Sequence, residues 1–338
     1  MKKLIVFFII LLVFSVGGVY GYYIIINSPD TLPAFINKQT PDGHYIIKKS
    51  GKTIEEFENK EEAIKKAKDI GRSVVVDKDN NEWIYSTLAP FIIITDTAIH
   101  DFEVFDSAMR YAKRNGHNKI YYNNDDKPIW EEQAELPEKI KMDVPVVLQL
   151  PELPRGCEVT SLAMIFKYHG LKINKMELAD KIRKDTTPYK IDNTGRIYFG
   201  NPYDGFVGDM YNRQNHGYGV YHGPIAELAD QYFKEKAIDI TGLEFEDVLY
   251  FVSNGYPVWV VTNSTYKPLE ESSFQMWHTP TGIVKVTQRQ HAVVITGFDQ
   301  NNIYINDPLY GKPNRIIEKV SFQKSWEQMG HQAVTIVK

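Results

Sequence analysis

The stretch 150-LPELPRGCEVTSLAMIF-166 puts a cysteine at the edge of a helical pattern. Val159, Leu162, Ala163 and Phe166 recur at the spacing of one helix face, Gly170 follows the run, and the rigid turn Pro154-Arg155-Gly156 precedes it. The spacing predicts an amphipathic helix over 158–169 with Cys157 at or just before its first turn. Unpaired N–H groups and the positive end of the helix dipole favour a thiolate at such a place, and Gly156 lets the backbone approach close ahead of the sulfur. Cys157 is the chain's single cysteine, so no intramolecular disulfide can form. It is either an inert small apolar residue or a thiol kept for its chemistry.

Working outward, Asn174 with Glu177 forms a capping-box opening for a second helix. Gly223-Pro224 opens a third, with Ile225, Leu228, Ala229 and Tyr232 on its buried side. A fourth near 245–254 ends at Gly255. Upstream, 143-DVPVVLQL-150 reads as a short strand. Downstream the pattern turns to strands at 256-YPVWVVT-262, 282-GIVKVT-287, 290-QHAVVITGF-298, 302-NIYIND-307 and 332-QAVTIV-337. Helices followed by antiparallel strands make an α+β arrangement. The polar turn between 298 and 302 makes its two flanking strands hydrogen-bonded neighbours.

An activated thiol needs a base to take its proton and a third group to orient that base. His291 heads one of the paired strands, and Asp307 ends its neighbour 16 positions later. Across a hairpin, both side chains reach the same rim, where a carboxylate can fix the useful imidazole tautomer. Gln149, eight positions before Cys157, supplies a neutral amide suited to an oxyanion hole. Four other histidines compete. His278 has no carboxylate at a comparable place on a paired strand. His216 and His222 lie in the Gly/Tyr-rich stretch 212-NRQNHGYGVYHGP-224, and His169 is at the far end of the cysteine helix. Each signal alone also has a purely structural reading. Their joint order, Gln, Cys at a helix start, His on a strand and Asp on the next, is what favours chemistry.

Before this region the chain repeats itself with a period of about 45 residues. Two stretches, starting at Tyr45 and Phe91, each run strand, phenylalanine (Phe57, Phe102), helix, glycine (Gly71, Gly116), strand, Asp/Asn-rich turn, and strand with Trp83 or Trp130. Ala63 and Ala67 of the first helix match Ala108 and Ala112 of the second. Neither copy holds a cluster of catalytic type, and His44, His100 and His117 lack metal-ligand spacing. The expected organisation is a duplicated spacer or binding module in two copies, 43–88 and 89–132, a linker over 133–143, and a further domain over 144–338.

At the start, Lys2 and Lys3 precede an uncharged run from Leu4 to Asn27, the pattern of a membrane anchor or a secretory signal. The expectation is a single N-terminal pass over residues 1–27 and a linker over 28–42. The body then lies outside the cell membrane, or is secreted if the segment is cleaved. A net charge of −4 gives no reason to expect nucleic acid as a partner.

The motifs "VPVVLQLPELPRGCEVTSLAMIFKYHG", "GNPYDGFVGD", "GYGVY", "GYPVWVV", "QHAVVITGFD", "NIYINDPLYG" and "QAV" occur in an order that resembles the C39-like peptidase family of Gram-positive bacteria. The resemblance implies a papain-like cysteine peptidase over Val144 to the C-terminus. Its nucleophile falls on Cys157, its base on His291, its orienting carboxylate on Asp307 and its oxyanion amide on Gln149. A peptide or protein substrate, at the cell surface, is the expected partner, with no metal or organic cofactor. Tyr203, Asp204, Gly205, Tyr218 and Tyr221 are expected to line the substrate groove. One departure stands out: Glu158 follows the cysteine where transporter-linked C39 domains carry glycine. The alternatives are a cell-wall transpeptidase or amidase using the same thiol, and a non-catalytic binding or scaffold protein that retains the fold.

Overall fold

The structure, a computed structural model, describes residues 43–337 apart from 97, 124 and 126. The expected anchor over 1–27 and the linker after it lie outside the described residues. Among the described residues no helix is long and apolar enough to cross a membrane. The expected cell-membrane placement through a single N-terminal pass is corrected on that ground.

The described chain divides into two compact units. The first runs to Leu88 and takes in residues 98–99. It holds β1 (Tyr45–Lys49), β2 (Lys52–Phe57), α1 (Lys60–Ile70), β3 (Val74–Asp77) and β4 (Glu82–Ser86), in the sheet order β2-β1-β3-β4. Asn59 starts α1 by accepting the Glu62 N–H at 3.1 Å. The helix buries Ala63 and Ala67 against Ile47 and Val75, small residues that let it lie close to the sheet.

The second unit opens with β5 (Phe91–Ile94), β6 (Ile99–Phe102), α2 (Phe105–Asn115), β7 (Lys119–Tyr122) and β8 (Pro128–Glu131). Their order β6-β5-β7-β8 repeats that of the first sheet. Gly116 ends α2 in the left-handed region, φ 70°, which only glycine adopts at no steric cost. Trp130 is fully buried, and its indole N–H donates to Asp247 Oδ1 at 2.9 Å.

Then follow β9 (Ile140–Lys141), α3 (Cys157–Tyr168) and α4 (Lys175–Lys181). Four two-residue strands come next: β10 (Lys184–Asp185), β11 (Lys190–Ile191), β12 (Ile197–Tyr198) and β13 (Phe206–Val207). They lead to α5 (His222–Asp230), β14 (Ala237–Asp239), α6 (Phe245–Ser253) and β15 (Val258–Asn263). The last part holds β16 (Gln275–Thr279), β17 (Gly282–Val286), β18 (Gln290–Phe298), β19 (Asn302–Asn306), β20 (Arg315–Glu318), α7 (Lys319–Gln328) and β21 (Ala333–Ile336). The main sheet has the order β14-β21-β15-β18-β19-β20, with β9 added against β18. These pairings are antiparallel, in keeping with the α+β expectation. Central β18 is apolar because both of its faces are covered: Ala292 to Ile295 are wholly buried.

Two local expectations are corrected. The segment 143–150 is not a strand. Pro145 has no N–H to give, and the neighbouring groups bond singly: Asn306 Nδ2 to the Val144 carbonyl at 2.7 Å, and the Gln149 N–H to the Pro308 carbonyl at 2.9 Å. Nor is α3 amphipathic. Every residue from Cys157 to Phe166 is buried, because β18, β15, α4 and α5 all pack against the helix. The Ser161 hydroxyl donates to the Ala292 carbonyl at 3.0 Å, fixing one turn of α3 to the strand that begins at Gln290.

Candidate active site

Cys157 is the first residue of α3, 6% exposed, with Gly156 as the cap. A Cβ on Gly156 would press into the Leu153 side chain, so the tight turn ahead of the sulfur requires glycine. The turn is held from several sides. The buried Lys175 ammonium donates to the Leu148 carbonyl at 2.5 Å, the Gln149 carbonyl at 2.9 Å and Glu152 Oε2 at 2.7 Å. The Arg155 guanidinium donates to the carbonyls of Asp209, Asn212, Arg213 and Asn215, at 2.7 to 3.1 Å, and so shapes the opposite wall.

His291 and Asp307 meet as the hairpin requires. Val294 pairs with Asn306, so Asp307 extends the register beside Val293, and His291 lies two positions along on the same face. His291 Nε2 is 2.8 Å from Asp307 Oδ1. The same carboxylate accepts the Tyr266 hydroxyl at 2.7 Å, the Arg315 guanidinium at 2.6 Å and the Leu309 N–H at 2.9 Å. Burial pushes the Asp307 carboxyl up, but the His291 ring and these donors outweigh it and hold it well below the usual carboxylate range. Asp307 is therefore ionised, and the hydrogen between it and His291 sits on Nε2.

Gln149, Cys157, Tyr218, Gln290 and His291 line one cleft of about 410 Å³, with Arg155 and Arg213 at its rim. Gln149 Nε2 donates to the carbonyls of Leu153 at 3.2 Å and Pro154 at 3.1 Å, while its buried Oε1 has no partner among the described residues. The amide thus ties the turn together in this state. Tyr203 and Tyr221 border a second groove of about 290 Å³, also lined by Phe274, Ile283 and Met329. Tyr218 links the two, since its hydroxyl is 2.8 Å from that of Tyr221. Asp204 and Gly205 line neither. Asp204 accepts the Thr281 hydroxyl, and Gly205 lies too close to the Lys184–Asp185 backbone for any side chain. Of the rival bases, His278 packs on Tyr198, His216 stacks on Tyr189, and His222 pairs with Asp239 at 2.6 Å.

The surroundings of the thiol work against the ionisation that a helix start favours. Burial pushes the Cys157 thiol well up, the Glu158 charge raises it further, and only the Ala292 N–H and its own backbone N–H act the other way. Its hydrogen bond goes to Glu158 Oε2 at 3.4 Å. Lys175, Ser161, Tyr266 and Arg315 were not singled out in the sequence. Lys175, Ser161 and Tyr266 act on residues more than 20 positions away, and Arg315 on Asp307 eight positions back across a turn, so no local pattern marks them.

For a metal, among the described residues His44, Asp77 and Asp79 of the first unit bring ligand atoms within 4.8 Å of one another. They are partly exposed, and two histidine–aspartate contacts of 3.6 and 3.2 Å account for the grouping.

Residues 141–334 match the model of the Peptidase_C39 like family. YvpB of Bacillus subtilis (strain 168), itself uncharacterized, is 42% identical over 191 residues, 56% of this chain and 72% of the relative. A crystal structure of a C39-like peptidase from Bacillus anthracis is 44% identical. It covers 60% of this chain and 98% of its own, with a TM-score of 0.56. The peptidase domain of the Streptococcus ComA transporter, at 16% identity over 57% of this chain and 98% of its own, has a TM-score of 0.34 and is too distant to carry any argument.

Proposed function

The chain belongs to the C39-like peptidase family, and from that premise we propose that it is a cysteine peptidase acting through Cys157, His291, Asp307 and Gln149. The observation that carries the reading is the shared cleft: sulfur, imidazole and amide line one wall set, and a buried carboxylate holds the imidazole by Nε2. In this reading residues 144–338 are the catalytic part, preceded by two copies of a small module over 43–88 and 89–132.

With Nε2 bound to Asp307, Nδ1 is the ring nitrogen that takes the thiol proton. The thiolate attacks the peptide carbonyl, and the oxyanion receives the Cys157 backbone N–H and a Gln149 N–H turned away from one of its two carbonyls. His291 returns the proton to the amine as the C–N bond breaks, leaving a thioester. Water then gives a proton to His291 while its oxygen attacks the thioester. Collapse expels the sulfur, which recovers that proton from His291, and releases the carboxylic acid, which then ionises in water. Tyr218, and beyond it Tyr221 and Tyr203, extend the cleft along a peptide.

A second reading draws on the raised thiol: a peptide-binding protein that keeps the fold without the chemistry. Iodoacetamide alkylation against pH, for the wild type and His291→Ala, separates the two, alongside mass spectrometry of a peptide library. The peptidase reading expects a reactive limb below pH 8 that His291→Ala removes, and new free carboxylates. Identical curves centred at about 8.5 or above, and no cleavage, sink it. New amides in place of carboxylates point to transfer instead.

A further inference from the structure

The residue beside the nucleophile has no part in the scheme above, yet its carboxyl receives the sulfur's hydrogen bond. Glu158 is 0% exposed. Oε2 accepts the Cys157 S–H at 3.4 Å, and Oε1 accepts the Val220 N–H at 3.0 Å and Gln290 Nε2 at 3.2 Å. All three partners are donors, so the carboxyl is held in its acceptor form. Arg315 is bound to Asp307 and Arg155 to backbone carbonyls. The site is shaped for this side chain, since a Cβ on Gly219 would overlap Oε1; Trp259 Nε1 holds the backbone here by donating to the Glu158 main-chain carbonyl at 3.0 Å. A buried glutamate with no cation on it among the described residues is costly; the Val220 and Gln290 donors account for Oε1, and the sulfur is the partner of Oε2.

We propose that Glu158 is a positioning residue for the nucleophile: it takes the S–H of Cys157, keeps the resting sulfur protonated and directed at itself instead of at His291, and so sets the pH at which Cys157 becomes reactive. This rests on Cys157 being the nucleophile of the peptidase reading. A negative charge at this distance disfavours a second one on sulfur. Rotation about the Cβ–Sγ bond moves the hydrogen from Oε2 toward the cleft, so the latch opens without any backbone change. Burial pushes the Glu158 carboxyl up, while the Val220, Cys157 and Gln290 donors pull it back toward the ionised form. The titratable groups facing the carboxyl are Cys157 on its own helix, and Tyr218 and Tyr221 flanking Val220, whose phenols burial raises. β18 contributes neutral Gln290 and, at the cleft, His291; Tyr266, held by Asp307, faces the sulfur.

Glu158→Gln tests it. The glutamine Oε1 keeps the Val220 and Gln290 donors, which turns its N–H groups toward the sulfur, so an acceptor of S–H becomes a donor to thiolate. The expected result is a fall of about one pH unit or more in the alkylation midpoint, roughly tenfold more thiolate at a given pH below it. A midpoint within 0.3 units of the wild type, or a rise, overturns the proposal. If that variant does not fold, 13C NMR of labelled glutamate compares Cys157→Ser, which keeps a donor to Glu158, with Cys157→Ala, which removes it. The Glu158 carboxyl should titrate at least half a unit higher in the alanine variant; equal values overturn the proposal. Both readouts follow the Glu158–Cys157 coupling whether or not peptides are cut, so failure here is distinct from failure of the peptidase reading.

Discussion

His291 Nε2 and Asp307 Oδ1 stand 2.8 Å apart, and the carboxylate that holds the ring is itself gripped by Tyr266 and Arg315. Every one of these partners donates. Asp307→Asn offers one acceptor oxygen and turns an NH2 group onto donors. The imidazole then loses its tautomer or its orientation, and peptide hydrolysis should fall by roughly 10²–10⁴-fold in kcat.

The same substitution has a pH signature in stability. The Asp307 carboxyl is held below its unfolded value, so its contribution is present above about pH 4 and is lost as pH falls through the lower folded pKa. The gap in thermal midpoint between the wild type and Asp307→Asn should be full at pH 7 and close in strong acid. A gap that widens on acidification contradicts the assignment of charge.

The hairpin that joins His291 to Asp307 was legible from the polar turn between two apolar runs; the β-bulge between Ile295 and Gly297, which shifts the register on the turn side, was not. The helix start at Cys157 was legible from Gly156 and the periodic apolar residues. What the sequence did not disclose is the medium around the sulfur. A helix start in water stabilises thiolate, but α3 is buried on every side, and desolvation with the Glu158 charge outweighs the dipole. That burial depends on strands more than a hundred residues away. The helix α7 and the strand β16 escaped notice for a related reason. In α7 only Phe322, Ser325 and Trp326 are buried, and in β16 only Trp277 is, so neither shows a clear apolar period.

Lys175 should matter more than its distance from the chemistry suggests. Its ion pair with half-exposed Glu152 is worth little, but the carbonyls of Leu148 and Gln149 depend on it inside the protein. Lys175→Met should cost about 2–4 kcal/mol by denaturant unfolding, and should lower kcat more than it raises KM because Gln149 loses its anchor. Unchanged stability shows that the turn is held without it.

Gly219→Ala tests the wall of the cleft. The added methyl would overlap Glu158 Oε1, a buried atom with no room to retreat. The expected loss is about 1–3 kcal/mol from overpacking, together with a shift in thiol alkylation, since the carboxyl must leave either Val220 or Cys157. Loss of stability with an unmoved alkylation curve shows that Glu158 yields on the Val220 side alone.

The last prediction concerns where the catalytic part can be cut. A chain starting at residue 144 lacks β9, whose pairing covers Gly297 and Phe298. It also lacks the Met142 N–H donated to the Thr296 carbonyl at 2.8 Å. The approach is tight: any Cβ on Gly297 would run into the Ile140 carbonyl, so the strand is shaped for that neighbour. A cut there also strips α6, because Phe105 packs edge-on against Phe251 with centroids 5.8 Å apart, and Trp130 bonds Asp247. Losing one buried tryptophan costs about 3–5 kcal/mol, a large share of the 5–15 kcal/mol that a domain has in total. Chains starting at residues 89, 133 and 144 should therefore fall in stability in that order, the last binding hydrophobic dyes or aggregating. If the chain from 144 unfolds at the same denaturant midpoint as the chain from 89, the second copy of the module is a passenger and the β9 pairing contributes nothing.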